Sequence, residues 1–68
     1  MNEQKRLVEK MLMVGCAKNG YVSVKAVIKK TGWKKQKVLA LGRLLMKERI
    51  FSEMVYSHWT RNVKGYSL

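Results

Sequence analysis

Proline is absent from this chain, and cysteine and histidine occur once each. With no proline and no Gly/Ser-rich run, nothing marks a linker. Cys16 cannot close an internal disulfide, and His58 cannot complete a zinc site with it. Acidic residues are scarce too: Glu3, Glu9, Glu48 and Glu53 are all there are. Four carboxylates and one imidazole leave little material for general acid–base chemistry. No nucleophile sits at recognisable spacing from a base, and no glycine loop would cradle a phosphate. The expectation is a non-enzyme, with no catalytic, cofactor-binding or metal-binding residue and no small-molecule ligand. The longest apolar run, residues 11–17, is broken by Gly15. It falls far short of the ~20 residues that span a bilayer. Glu3 precedes Lys5 and Arg6 at the N-terminus, which is not a signal-peptide pattern. The expected location is the cytoplasm, at the nucleoid, with no membrane partner.

What the chain has in excess is positive charge. Fifteen Lys and Arg stand against the four acids, for a formal net charge of +11. Between Lys10 and Lys47 there are ten basic residues and no acidic one. An imbalance of this size points to a polyanionic partner. The 47% hydrophobic content supplies a core and excludes global disorder. Sixty-eight residues make a single domain, 1–68. A chain of this length buries only about 60% of its unfolded surface, so one small core is expected.

The organising stretch is residues 23–50, read as two helices joined by a turn at Thr31-Gly32-Trp33. Before it, residues 2–18 read as a first helix, with Asn2 as N-cap and Glu3 in the first turn. Its apolar positions, Leu7, Val8, Met11, Leu12 and Val14, recur at helical spacing and are expected to face the core. Met13 is the residue left over for a second subunit. Lys18-Asn19-Gly20 ends this helix, since Asn and Gly tolerate a left-handed cap. Tyr21-Val22 is one rung of a small sheet. Ser23 caps a second helix, 24–30, with Val24, Val27 and Ile28 inward and Lys25, Lys29 and Lys30 outward. Gly32 permits the positive φ of the turn. Trp33 is expected in the core, with a base-stacking role as its alternative.

The third helix is expected over 34–49. Val38, Leu41, Leu45 and Leu44 form its buried stripe, while Lys34, Lys35, Lys37 and Arg43 lie on the exposed side. Gln36 can pair bidentately with adenine, whereas the lysines suit phosphates. Leu39 and Ala40 are either thymine-methyl contacts, surplus core or a dimer patch. Gly42 in mid-helix costs about 1 kcal/mol relative to alanine, which a close approach by the first helix would explain. Residues 50–56 suit a strand, 57–64 a loop, and 65–68 a returning strand. The hairpin tip carries His58, Trp59, Thr60, Arg61, Asn62 and Lys64. Arg61 could enter a minor groove. Trp59 either covers the open end of the core or stands exposed.

The resulting order, α-β-α-α-β-β, resembles a winged helix-turn-helix domain. The resemblance rests on residues 24–33, on Val38, Leu41 and Leu45, and on Arg49-Ile50-Phe51 leading into the wing. Small FaeA-like regulators of pilus operons look similar in length and layout, as do phage and archaeal-virus regulators. The implied fold class is α+β, three helices with a small C-terminal β-hairpin. The implied partner is double-stranded DNA, with the third helix in the major groove and the hairpin on flanking backbone or minor groove. By position, Lys34, Lys35, Gln36, Lys37 and Arg43 match the reading helix, and Arg61 and Lys64 match the wing. One departure is Lys34, standing where many such helices carry a Ser or Thr cap.

The leading functional expectation is therefore a small DNA-binding transcriptional regulator. One alternative is an adaptor binding an acidic surface of the transcription machinery. Another is an RNA or single-strand binder, which an exposed Trp59 and Tyr66 would favour. A homodimer is a further partner candidate, with Met13, Leu39 and Met46 as the free apolar residues.

Overall fold

Helical periodicity, one glycine turn and an Asn-Gly pair divide the chain into six elements. The computed structural model describes residues 3–68. In order these are α1 (Glu3–Val14), β1 (Tyr21–Ser23), α2 (Val24–Thr31), α3 (Lys35–Lys47), β2 (Glu53–Tyr56) and β3 (Val63–Ser67). The fold is α+β, with three helices and one antiparallel sheet of strand order β1-β3-β2. This agrees with the winged helix-turn-helix layout expected from the sequence. The proposed Asn2 cap lies outside the described residues.

The first helix stops at Val14, four residues earlier than expected. Gly15 offers no side chain to hold another turn, and Cys16 and Ala17 donate to carbonyls only three residues back. Asn19 and Gly20 do not cap the helix. Both have positive φ, 56° and 77°, and Lys18 and Tyr21 exchange backbone hydrogen bonds across them. Two positive-φ residues between bonded neighbours make a two-residue reverse turn, a local signal the Asn-Gly pair carries. The turn swings Tyr21–Ser23 against the C-terminal strand, with Val22 opposite Tyr66.

Ser23 ends β1 and caps α2, its hydroxyl accepting from the Ala26 N–H at 3.5 Å. Gly32, at φ 75°, closes α2 by donating to the Ile28 carbonyl. Lys34 is the N-cap of α3 rather than its first residue, and it offers no side-chain cap. The helix ends at Lys47, two residues before the expected limit. There Ile50 and Phe51 both donate to Leu45 O, and Arg49 donates to Met46 O while holding φ 63°. This is a Schellman closure with arginine where glycine is usual. It delays the strand, so β2 begins at Glu53 rather than Ile50.

The buried set is Met13, Val22, Val24, Val27, Val38, Leu41, Leu45, Phe51 and Tyr66. Tyr66 is central: its ring stacks on Phe51 with centroids 4.9 Å apart. The same ring lies on the α3 backbone, where a Cβ at Gly42 would come within 2.1 Å of it. Gly42 is therefore kept for Tyr66 and not for the first helix.

The first helix turns over the expectation about its faces. Leu7, Val8, Met11 and Leu12 are exposed, at 56, 53, 64 and 44%, and Met13 is fully buried. Met13 is thus a core residue and not a free subunit contact. Leu39 and Met46, the other free candidates, are half-buried and pack on the core. Beside Met13, the inward side of α1 carries two ion pairs, one to α3 and one to its C-cap Glu48. Lys10 reaches both carboxylate oxygens of Glu48, at 2.7 and 2.9 Å, and Glu9 pairs with Lys37. No described helix is long and apolar enough to cross a membrane.

Candidate nucleic-acid interface

Three elements bring lysines to one concavity. Lys25 stands at the start of α2, Lys35 at the start of α3, and Lys64 on β3. All three line a cleft of about 630 Å³ between the two helix starts and the β2–β3 hairpin. Val24, Ile28 and Val63 give it an apolar floor, and among the described residues no carboxylate lines it. The helix starts converge here because the Gly32 turn folds α2 back on α3. Lys35 and Lys64 were both expected contacts. Lys25 was read only as an outward charge, and its place beside the hairpin depends on the tertiary fold.

Beside the cleft runs the exposed stripe of α3. Gln36, Leu39, Ala40 and Arg43 share a shallow surface hollow of about 230 Å³. Their spacing places them opposite the buried Val38, Leu41 and Leu45. Lys47 continues the stripe one turn beyond Arg43 and is exposed. Arg43 also acts on the core behind it. Burial raises the Tyr66 phenol above its ordinary pKa, while the nearby guanidinium of Arg43 pulls it back down and Tyr56 adds a smaller upward push.

Lys37 lies on a different side of the helix. Its ammonium is paired with Glu9 and sits 4.8 Å from the centroid of the Trp33 ring. It faces α1, away from the Gln36–Arg43 stripe. Trp33 is half-buried and packs on the core edge. Lys34 is exposed at the N-cap of α3. The first turn of α3 carries no acid and no side-chain cap, so Lys34 and Lys35 add to the positive end of the helix dipole, while Glu9 offsets Lys37.

The hairpin tip is shaped by local bonds. Ser57 donates to Asn62 O at 2.7 Å, and Arg61 donates back to Ser57 O at 2.9 Å. The turn holds Arg61 at φ 58°, a left-handed conformation uncommon for arginine. Trp59 is 90% exposed, with the His58 ring edge-on at 5.5 Å. It does not cover the open end of the core. Tyr66, by contrast, is fully buried. Of the three aromatics offered as stacking platforms, Trp33 is half-buried on the core edge and Tyr66 is buried, which leaves Trp59 as the accessible one.

Among the described residues, no group of three or more His, Cys, Asp or Glu side chains is placed to hold a metal ion. Comparison with family models, curated proteins and solved structures finds no match to this chain.

Proposed function

We propose that the chain is a winged helix-turn-helix protein that binds double-stranded DNA as a transcriptional regulator. The observation that carries this reading is the carboxylate-free cleft lined by Lys25, Lys35 and Lys64, beside the exposed Gln36–Ala40–Arg43 stripe. A helix stripe of this kind fits the major groove. The cleft then takes the phosphodiester strand that separates this groove from the next, and the tip carries Arg61 toward the minor groove. In this arrangement the lysines, with Lys34 at the helix start, set position. Gln36 and Arg43 are the side chains able to read base edges, adenine and guanine respectively. Lys37 braces α3 against α1 and contributes less to the contact.

A second reading has one observation in its favour. Trp59, almost fully exposed at the tip of a basic hairpin, suits stacking on an unpaired base. Selection of bound sites from a random duplex pool, followed by competition with single-stranded DNA and RNA, separates the two. A recurring duplex motif, with single strands competing poorly, is the expected result. Preference for single strands, lost in Trp59→Ala, would replace the duplex reading.

A further inference from the structure

The first helix has its apolar stripe on the wrong side for the core of its own domain. Leu7, Val8, Met11 and Leu12 cover roughly 140° of the helix circumference at 3.6 residues per turn. All four are about half exposed or more. Single exposed apolar residues are ordinary, but four on adjoining turns of one helix form a patch that marks an interaction site. The opposite side of α1 is already used, holding Met13 in the core and tying Glu9 and Lys10 to α3.

Charge narrows the choice of occupant. Glu3 and Glu9 lie on α1, and Glu48 is paired with Lys10 of that helix. Against these three acids the helix carries three bases, Lys5, Arg6 and Lys10, so α1 with Glu48 sums to zero in a chain carrying +11. An acidic protein or an anionic bilayer would be drawn first to the cleft and the α3 stripe. A like-charged second copy meets least repulsion at α1. The stripe is also self-complementary. In an antiparallel pairing about a two-fold axis, Leu7 opposes Leu12 of the second copy and Val8 opposes Met11 of the second copy. Such a contact is isologous, using the same patch twice.

We infer that α1 is a homodimerisation surface, pairing antiparallel with α1 of a second copy. The inference stands without the nucleic-acid reading, because it rests on a different face. The exposed patch is on the order of a few hundred Å², less than the roughly 800 Å² each partner gives a standard stable interface. The dimer is accordingly weak and transient, as contacts below the standard size are.

Sedimentation velocity without nucleic acid, from about 2 to 200 µM, tests this directly. The expected result is a concentration-dependent shift from monomer to dimer. Met11→Glu, at the most exposed position of the stripe, should hold the chain monomeric with an unchanged thermal melt. Leu7→Glu and Leu12→Lys should each be monomeric alone and form a dimer when mixed, as the antiparallel register requires. A parent chain monomeric at 200 µM, or a dimer indifferent to Met11→Glu, would overturn the inference. So would a monomer that binds anionic phosphatidylserine vesicles through this stripe. Affinity for a duplex with a single half-site should not change in Met11→Glu, so failure of the dimer and failure of DNA binding are read separately.

Discussion

At Gly42 and Tyr66 one contact decides two residue types. An alanine at 42 would gain about 1 kcal/mol of helix propensity. Its methyl would also lie 2.1 Å from the hydroxyl end of a fully buried ring that is stacked on Phe51. Overlap with a buried ring outweighs the propensity gain. Gly42→Ala should lower stability by about 1–3 kcal/mol, measured as the urea midpoint; a variant as stable as the parent would mean the ring moves aside. Tyr66 carries the converse problem. Its hydroxyl is buried and makes no protein hydrogen bond. Tyr66→Phe should therefore raise stability at neutral pH by about 1 kcal/mol, the order of an unmet hydroxyl's desolvation cost. The same residue sets an alkaline limit. Burial holds its pKa above 10.0 in the fold, so the unfolded chain loses this proton first. Its contribution is complete below pH 10 and declines as pH rises toward the folded value. The stability difference between parent and Tyr66→Phe should be flat from pH 6 to 9 and widen in favour of the variant above 10. A constant difference across that range would count against the assignment.

Among the elements, α3 divides its basic residues between two tasks. Lys35 opens onto the cleft, whereas Lys37 is held between Glu9 and the Trp33 ring. A part-exposed ion pair contributes about 0–1 kcal/mol and a surface cation–π contact about 0.5–1 kcal/mol. Lys37→Ala should thus cost about 1 kcal/mol of stability with little direct effect on duplex affinity. Lys35→Ala should leave the melt unchanged and weaken duplex binding several-fold at moderate salt. Paired melts and gel shifts check the contrast, and equal binding losses in both variants would put Lys37 back in the interface. The first helix divides in a similar way: ion pairs and Met13 dock it, and its larger apolar stripe stays outside.

For the whole molecule the governing quantity is charge and where it faces. Three acids gather at α1, so the remaining surface is a nearly unopposed cation. Under the DNA reading, Lys25, Lys34, Lys35 and Lys64 are four candidate phosphate neighbours, with Arg43 and Arg61 placed in the grooves. Each neutralised phosphate contributes about 0.9 to the slope of log affinity against log salt, so a slope of about −3 to −4 is expected. Titration between 50 and 200 mM salt measures it. A slope near zero would exclude the backbone contacts, whatever else the chain binds.

Much of the architecture was legible in one dimension because it depends on short-range chemistry. Ser23 as a cap, Gly32 as a left-handed turn and the 3.6-residue spacing of Val38, Leu41 and Leu45 act within a few residues. The charge imbalance, which carries the expectation of a polyanionic partner, is read from composition alone. The Asn19-Gly20 signal is equally local, but the pair suits a helix cap as well as the reverse turn it forms. Other features had no local signal. Periodicity shows that α1 has an apolar side but not which side meets the core. The facing exists only once Met13 packs into the core and Glu48 and Lys37, far along the chain, come to pair with Lys10 and Glu9. The reason for Gly42 sits on a strand more than twenty residues later. Lys25 joins Lys35 and Lys64 only when the hairpin folds beside the helix starts. Periodicity and capping are properties of neighbours in sequence, whereas facing and convergence exist only once distant segments have packed.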